Sequence, residues 1–146
     1  MKRKGFERCI EEKKLIETGV VDIGMVRELL ILAEHKELFW KSVSDKVKEF
    51  PSLFIEGYYE IIKELCSAIL ILDGWKALNH ECLFAYLKNN KSDLEIDFDY
   101  LLELKDTRNA IDYRGVMVSP DIWKNNELKI SLAVNALKEY LSNKLE

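Results

Sequence analysis

The chain has 146 residues, of which 48% are hydrophobic and 33% charged, with only 2 prolines and 6 glycines. That balance points to one folded, helix-rich domain over residues 1–146 and excludes a disordered chain. A formal charge of −4 gives no general attraction for nucleic acid, so any such contact needs a local basic patch.

A first helix is predicted over residues 5–18, offering Phe6, Cys9, Ile10 and Leu15 or Ile16 for burial, with Gly19 as its stop. Lys2, Arg3, Lys4, Lys13 and Lys14 around it read as the solvated charge of a helix end. Asp22 caps a long second helix over residues 23–49, whose Val26, Leu29, Leu30, Ala33, Trp40, Val43 and Val47 recur at helical spacing. Pro51 closes that helix or opens the third, over residues 52–73, which is the most apolar. Its polar residues Glu56, Glu60, Lys63, Glu64 and Ser67 form one narrow stripe, so most of its circumference should be buried. Gly74 is the natural C-terminal cap. Asn79 caps a brief helix that runs through Leu87, and a polar loop over residues 88–93 follows. The fifth helix spans residues 97–113 and is broken by Gly115, and Ser119-Pro120 opens the last. That last helix carries Ile122, Ile130, Ala133, Val134, Leu137 and Leu141 on one face. Strand signals are almost absent. The expected fold class is all-α, an up-and-down antiparallel helical bundle of four to five main helices with one short extra helix.

Cys9, Cys66 and Cys82 form no CxxC pair, and the 2 histidines show no zinc-ligand spacing. The acidic group Asp93, Glu95, Asp97 and Asp99 lacks the glycine and final glutamate of a calcium loop and reads as an acid-rich helix start. No metal and no cofactor is therefore expected. Met1 to Phe6 turns polar again at Glu7 and Arg8, without a signal-peptide core, and the apolar run over residues 68–72 is too short for a bilayer. The expectation is a cytoplasmic chain with no membrane contact, its thiols reduced and Cys66 in the core.

Chemistry concentrates in the run over residues 108–115, where Arg108, Asn109, Asp112, Tyr113 and Arg114 end the fifth helix. Phe98, Leu101, Leu104 and Ile111 mark the apolar side of that helix, and Arg108 falls on it, seven residues after Leu101. A guanidinium keeps its charge, so placing it near a core is costly unless acceptors surround it. Arg108 and Arg114 suit phosphate oxygens, which arginine meets bidentately. A bland alternative stands beside this: Arg108 snorkels outward or pairs with Asp112 one turn on. Of the histidines, His35 reads as a solvated surface residue and His80 as a structural or capping one. Tyr58-Tyr59, Trp40, Trp75 and Trp123 read first as packing, although Tyr58-Tyr59 could stack on a base.

Three stretches together resemble the HEPN superfamily, helical domains of prokaryotic toxin–antitoxin systems and of proteins beside minimal nucleotidyltransferases. They are Tyr58-Tyr59 with the later run from Ala68 to Gly74, then Asn79-His80-Glu81-Cys82-Leu83, then Arg108-Asn109 ahead of a closing helix. The resemblance implies a homodimer with the Arg108 helices facing each other across a cleft, and a nucleotidyltransferase or antitoxin as companion. Catalytic members of that superfamily are metal-independent ribonucleases carrying an arginine, a polar neighbour and a histidine about a turn further on. Here Tyr113, Arg114 and Gly115 stand where that histidine would fall. Asp112-Tyr113 is similar to the ending found in branches without the histidine. Base catalysis near neutral pH suits histidine, whereas tyrosine titrates near 10.

The expectation is a non-catalytic nucleotide- or RNA-binding module using Arg108, Asn109, Asp112, Tyr113 and Arg114, with Asp112 orienting Arg108 and Tyr113 at the cleft floor. Two alternatives stay open. One is a ribonuclease using Arg108 with an atypical base, Tyr113 or His80. The other is a structural dimerisation domain in which Arg108, Asp112 and Tyr113 form a satisfied network.

Overall fold

The computed structural model describes residues 3–146, so Lys2 of the basic N-terminal group lies outside the described residues. The chain is 73% helical, an all-α bundle with one very small sheet. In chain order the elements are α1 (Phe6–Glu11), β1 (Leu15–Glu17), α2 (Ile23–Ser42), α3 (Pro51–Asp73), β2 (Trp75–Ala77), α4 (His80–Asn90), α5 (Phe98–Arg114) and α6 (Pro120–Lys144).

Helix α3 is the pillar. Ile55, Tyr59, Ile61, Ile62, Leu65, Cys66, Ala68 and Ile69 have no exposed surface. Helices α2 and α6 pack against it, and the α4–α5 pair closes the remaining side. From α2 it receives Val26, Leu30 and Ala33, and from α6 Ile130, Val134, Leu137 and Leu141. Each buried aliphatic side chain of this kind contributes about 1.5–3 kcal/mol. Close approach of α2 needs Gly57, because a methyl group there would overlap the Trp40 indole. Glycine inside a helix costs about 1 kcal/mol relative to alanine, and the indole seated on bare backbone offsets it.

Local caps set most boundaries. Asp22, Asn79 and Asp97 each accept a hydrogen bond from a first-turn backbone N–H of α2, α4 and α5. Gly74 and Gly115 end α3 and α5 with φ of 79° and 64°, a left-handed conformation open to glycine. Ser119 precedes α6 as expected but makes no side-chain cap bond; Pro120 takes the first-turn position.

Three expectations need correction. The first helix stops at Glu11 rather than residue 18, and residues 15–17 form β1, antiparallel to β2 with Ile16 opposite Lys76. The pairing is tertiary in origin. The Gly74 carbonyl accepts from the Thr18 and Gly19 backbone N–H groups and from the Thr18 hydroxyl, drawing this segment onto the end of α3. Leu15 is buried there while Ile16 and Ile10 face outward. The second helix ends at Ser42 rather than residue 49, and a 3-10 turn at Ser44–Lys46 returns the chain to α3.

The third correction concerns the thiols. Cys9 and Cys82 form a disulfide across 73 residues, leaving Cys66 as the free, buried cysteine. Spacing gave no hint of the bridge because it joins α1 to the first turn of α4. No helix among the described residues is long and apolar enough to cross a membrane. Of the basic N-terminal side chains, Arg3 pairs with Asp106 and Lys4 with Glu12, each 2.9 Å away, while Lys13 and Lys14 are exposed.

Closing a ring of this size removes roughly 4 kcal/mol of unfolded-state freedom in chain-entropy terms. Denatured, unreduced protein should therefore titrate one thiol per chain, rising to three after reductant. Cys9→Ser should lower the melting temperature to that of the reduced wild type. Three thiols without reductant would show that the bridge does not form.

Candidate functional site: an arginine over a tyrosine beside a carboxyl pair

The polar stripe of α3 faces the junction of α4 and α5, and the site forms there. Tyr59 is fully buried, and the Arg108 guanidinium lies over its ring, 5.5 Å from the centroid. Such a contact is worth about 0.5–2 kcal/mol, more as water is excluded. Arg108 Nε sits 2.9 Å from Asp112 Oδ2, one helical turn on, and Nη1 donates to Asn109 Oδ1 at 3.2 Å. Its side chain is only 19% exposed. Nη2 has no partner among the described residues.

On the far side of Tyr59 stands His80, in the first turn of α4. The Tyr59 hydroxyl and His80 Nδ1 are 2.8 Å apart. Burial pushes the Tyr59 phenol above its ordinary value, so its proton stays and the hydroxyl donates. Burial, with the Lys63 and Arg108 charges, holds His80 below 6.5. His80 is therefore neutral near pH 7, its Nδ1 accepting from Tyr59 and its Nε2 carrying the proton. In that tautomer it donates hydrogen bonds and has no ring lone pair left to act as a base.

A carboxyl takes the place left open. Glu56, one turn before Tyr59 on α3, is pushed up to about 7 by burial, by a hydrogen bond with Asp112 and by the Asp112 charge, against the opposing pull of Arg108. Two carboxyls this close cannot both ionise cheaply, which is why Glu56 holds its proton to higher pH. One turn further, burial raises Glu60, but the Lys63 hydrogen bond and the Lys63, Lys36 and Arg108 charges outweigh it and leave Glu60 below its ordinary value. The acidic and basic groups around Tyr59 thus stand in distinct states at neutral pH.

Of the residues expected at the site, Arg108, Asn109 and Asp112 come together. Tyr113 does not reach a cleft floor; it is 75% exposed, its ring 5.9 Å from the Arg108 guanidinium on the open side. Arg114 is exposed in the last turn of α5 and makes no hydrogen bond or ion pair among the described residues. His35 is exposed on α2. Tyr58 packs on Trp123, with ring centroids 5.2 Å apart, away from the arginine. Glu56, Tyr59 and His80 complete the cluster. The signal for Glu56 was its place on the α3 stripe one turn from Tyr59, legible only once that stripe is known to face α5. Glu64, on the same stripe, turns instead to Lys36 of α2. A cavity of about 630 Å³ between α2, α3 and α6 is lined by Tyr58 and Trp123 but by none of Arg108, Asp112, Glu56, Tyr59 and His80.

Glu56 holds its proton more tightly folded than unfolded. Its contribution to stability is complete below its ordinary 4.5 and is lost as pH rises through about 7. Between about pH 5 and 8 the melting temperature of the wild type should fall relative to that of Glu56→Gln. His80, which works in the opposite direction, titrates in both proteins and cancels in the difference. A flat difference would mean that Glu56 titrates as an ordinary surface carboxyl.

No protein-family model, no curated protein and no solved structure matches this chain.

Proposed function

We propose that the chain is a HEPN-like helical module that binds nucleotide or RNA phosphate at Arg108, acting as a non-catalytic partner or scaffold for a nucleotidyltransferase-type or antitoxin protein. One observation carries the reading. Arg108 is four-fifths shielded and held from three sides by Asp112, Asn109 and Tyr59, yet its Nη2 protons are unspent. A charge oriented at such cost, with donors to spare, suits a phosphate oxygen. His80, as a neutral donor one phenol away, adds a second hydrogen-bonding group without supplying a base.

A second reading, the metal-independent ribonuclease, is favoured by Glu56. A carboxyl titrating near neutrality beside an arginine has the pKa that removal of a 2′-hydroxyl proton needs. In that reading Glu56 replaces Tyr113 and His80 as the atypical base, while Arg108 meets the charge developing on the phosphorane.

The proposal includes a second copy facing the Arg108 helix. Its support is the exposed apolar end of that helix, where Val116 and Met117 follow Tyr113 and Met117 is 81% exposed. Ile31, Leu38 and Phe39 on the outer face of α2 form a competing surface.

Arg108→Ala should weaken binding of single-stranded RNA at least tenfold and lower the salt slope by about 1, with Arg108→Lys between the two. Unchanged binding together with a lowered melting temperature would favour the purely structural network and overturn the proposal. RNA cleavage without added metal, lost in both Arg108→Ala and Glu56→Gln, would establish the ribonuclease instead. For assembly, light scattering should give twice the chain mass, falling to a monomer in Met117→Glu. A dimer that survives this change does not use the end of α5.

A further inference from the structure

Next to His80 lies a cavity of about 330 Å³ between α3, β2 and α4. Leu70, Ile71, Leu83 and Trp75 supply its apolar walls. Its polar lining is Lys63, Ser67, Lys76, Asn79 and His80, and no carboxylate lines it, in a chain whose net charge is −4. A volume near the lower end of small-ligand pockets suits a single heterocycle.

The donor and acceptor balance of that lining is one-sided. Asn79 Oδ1 already accepts from the Cys82 backbone N–H at 2.8 Å, while both protons of its amide NH2 lack a partner among the described residues. His80 Nδ1 is occupied by Tyr59, so its Nε2 presents a proton. Lys63 and Lys76 can only donate; Lys63 spends one proton on Glu60 at 2.7 Å, and Lys76 has no partner among the described residues. Ser67, whose hydroxyl also lacks a partner among the described residues, can either donate or accept.

We infer that this cavity is a nucleobase subsite selective for keto-substituted bases. The inference rests on the reading of Arg108 as a phosphate site and assigns the neighbouring base. The Tyr59 phenol stands between the His80 rim and Arg108, its hydroxyl 2.8 Å from His80 Nδ1 and its ring centroid 5.5 Å from the guanidinium, which sets rim and charge within reach of one nucleotide. Guanine and hypoxanthine present O6 and N7, two adjacent acceptors, to a rim whose polar side chains are mostly donors. Adenine and cytosine carry an exocyclic amino group that would face donors and leave them unpaired, a mismatch that sites built on hydrogen bonds reject strongly.

The test uses two short labelled single-stranded RNAs of adenosines, one with a central inosine, titrated by fluorescence anisotropy. They differ at that position by a 6-oxo against a 6-amino group. The wild type should bind the inosine strand about tenfold more tightly. Ser67→Ala with Lys76→Gln should bring the two strands within about twofold of each other; Lys76→Gln alone, at an exposed position, serves if the pair does not fold. Arg108→Ala should weaken both strands alike. Equal binding by the wild type, a preference for the adenosine strand, or a preference unchanged by the rim substitutions overturns the base subsite. If Arg108→Ala still weakens both strands in those cases, the phosphate reading survives alone. Binding of neither strand by the wild type overturns both.

Discussion

Everything in this fold depends on a helix that has almost no side left for water. Helix α3 buries residues around most of its circumference, and its polar side chains are confined to one stripe. Charged groups cannot turn inward without partners, so each neighbour of that stripe must supply one. Lys36 answers Glu64, Lys63 answers Glu60, and α5 brings Arg108 and Asp112 to Glu56 and Tyr59. The site is thus a by-product of packing: the densest helix gathers its polar residues where other elements must complete them. One loose end remains, Glu64 Oε2, which is buried without a hydrogen bond.

The cluster divides its labour by environment. Tyr59, His80 and Glu56 are three titratable groups gathered beside Arg108, and burial drives the phenol and the carboxyl up and the imidazole down. The outcome is a neutral phenol–imidazole pair on one side of the arginine and a Glu56 carboxyl slow to lose its proton on the other. Positive charge is fixed by Arg108, whose state does not change with pH. Binding therefore does not require any residue here to titrate, whereas chemistry would run through Glu56.

What was legible in the sequence is what depends on near neighbours. Asp22, Asn79, Gly74 and Gly115 announce helix ends through bonds made within a turn, and all stand where expected; Asp97, expected as the first helical residue, is the cap just before it. The Arg108–Asp112 pair is likewise one turn long. The failures are all non-local. Residues 15–17 could have continued a helix, and only the Gly74 carbonyl and β2 pull them straight. Cys9 meets Cys82 because two distant segments pack together. His80 gained its role from a tyrosine 21 residues earlier, and the Glu56 stripe could be given no partner because no spacing reveals which helix lies opposite.

The disulfide also changes what a cut in the chain can do. Residues 9 to 82 form a covalent ring that includes Glu56 and Tyr59 and carries His80 beside its closure, while Arg108 and Asp112 lie on the tail outside it. A single nick in the turn between α2 and α3 opens the ring but separates nothing, and the fragments stay joined through Cys9 and Cys82. A nick in the link between α4 and α5 frees the tail, which is then held by packing alone. The two halves of the site differ in this way: one is fastened by bonds, the other only by its fit.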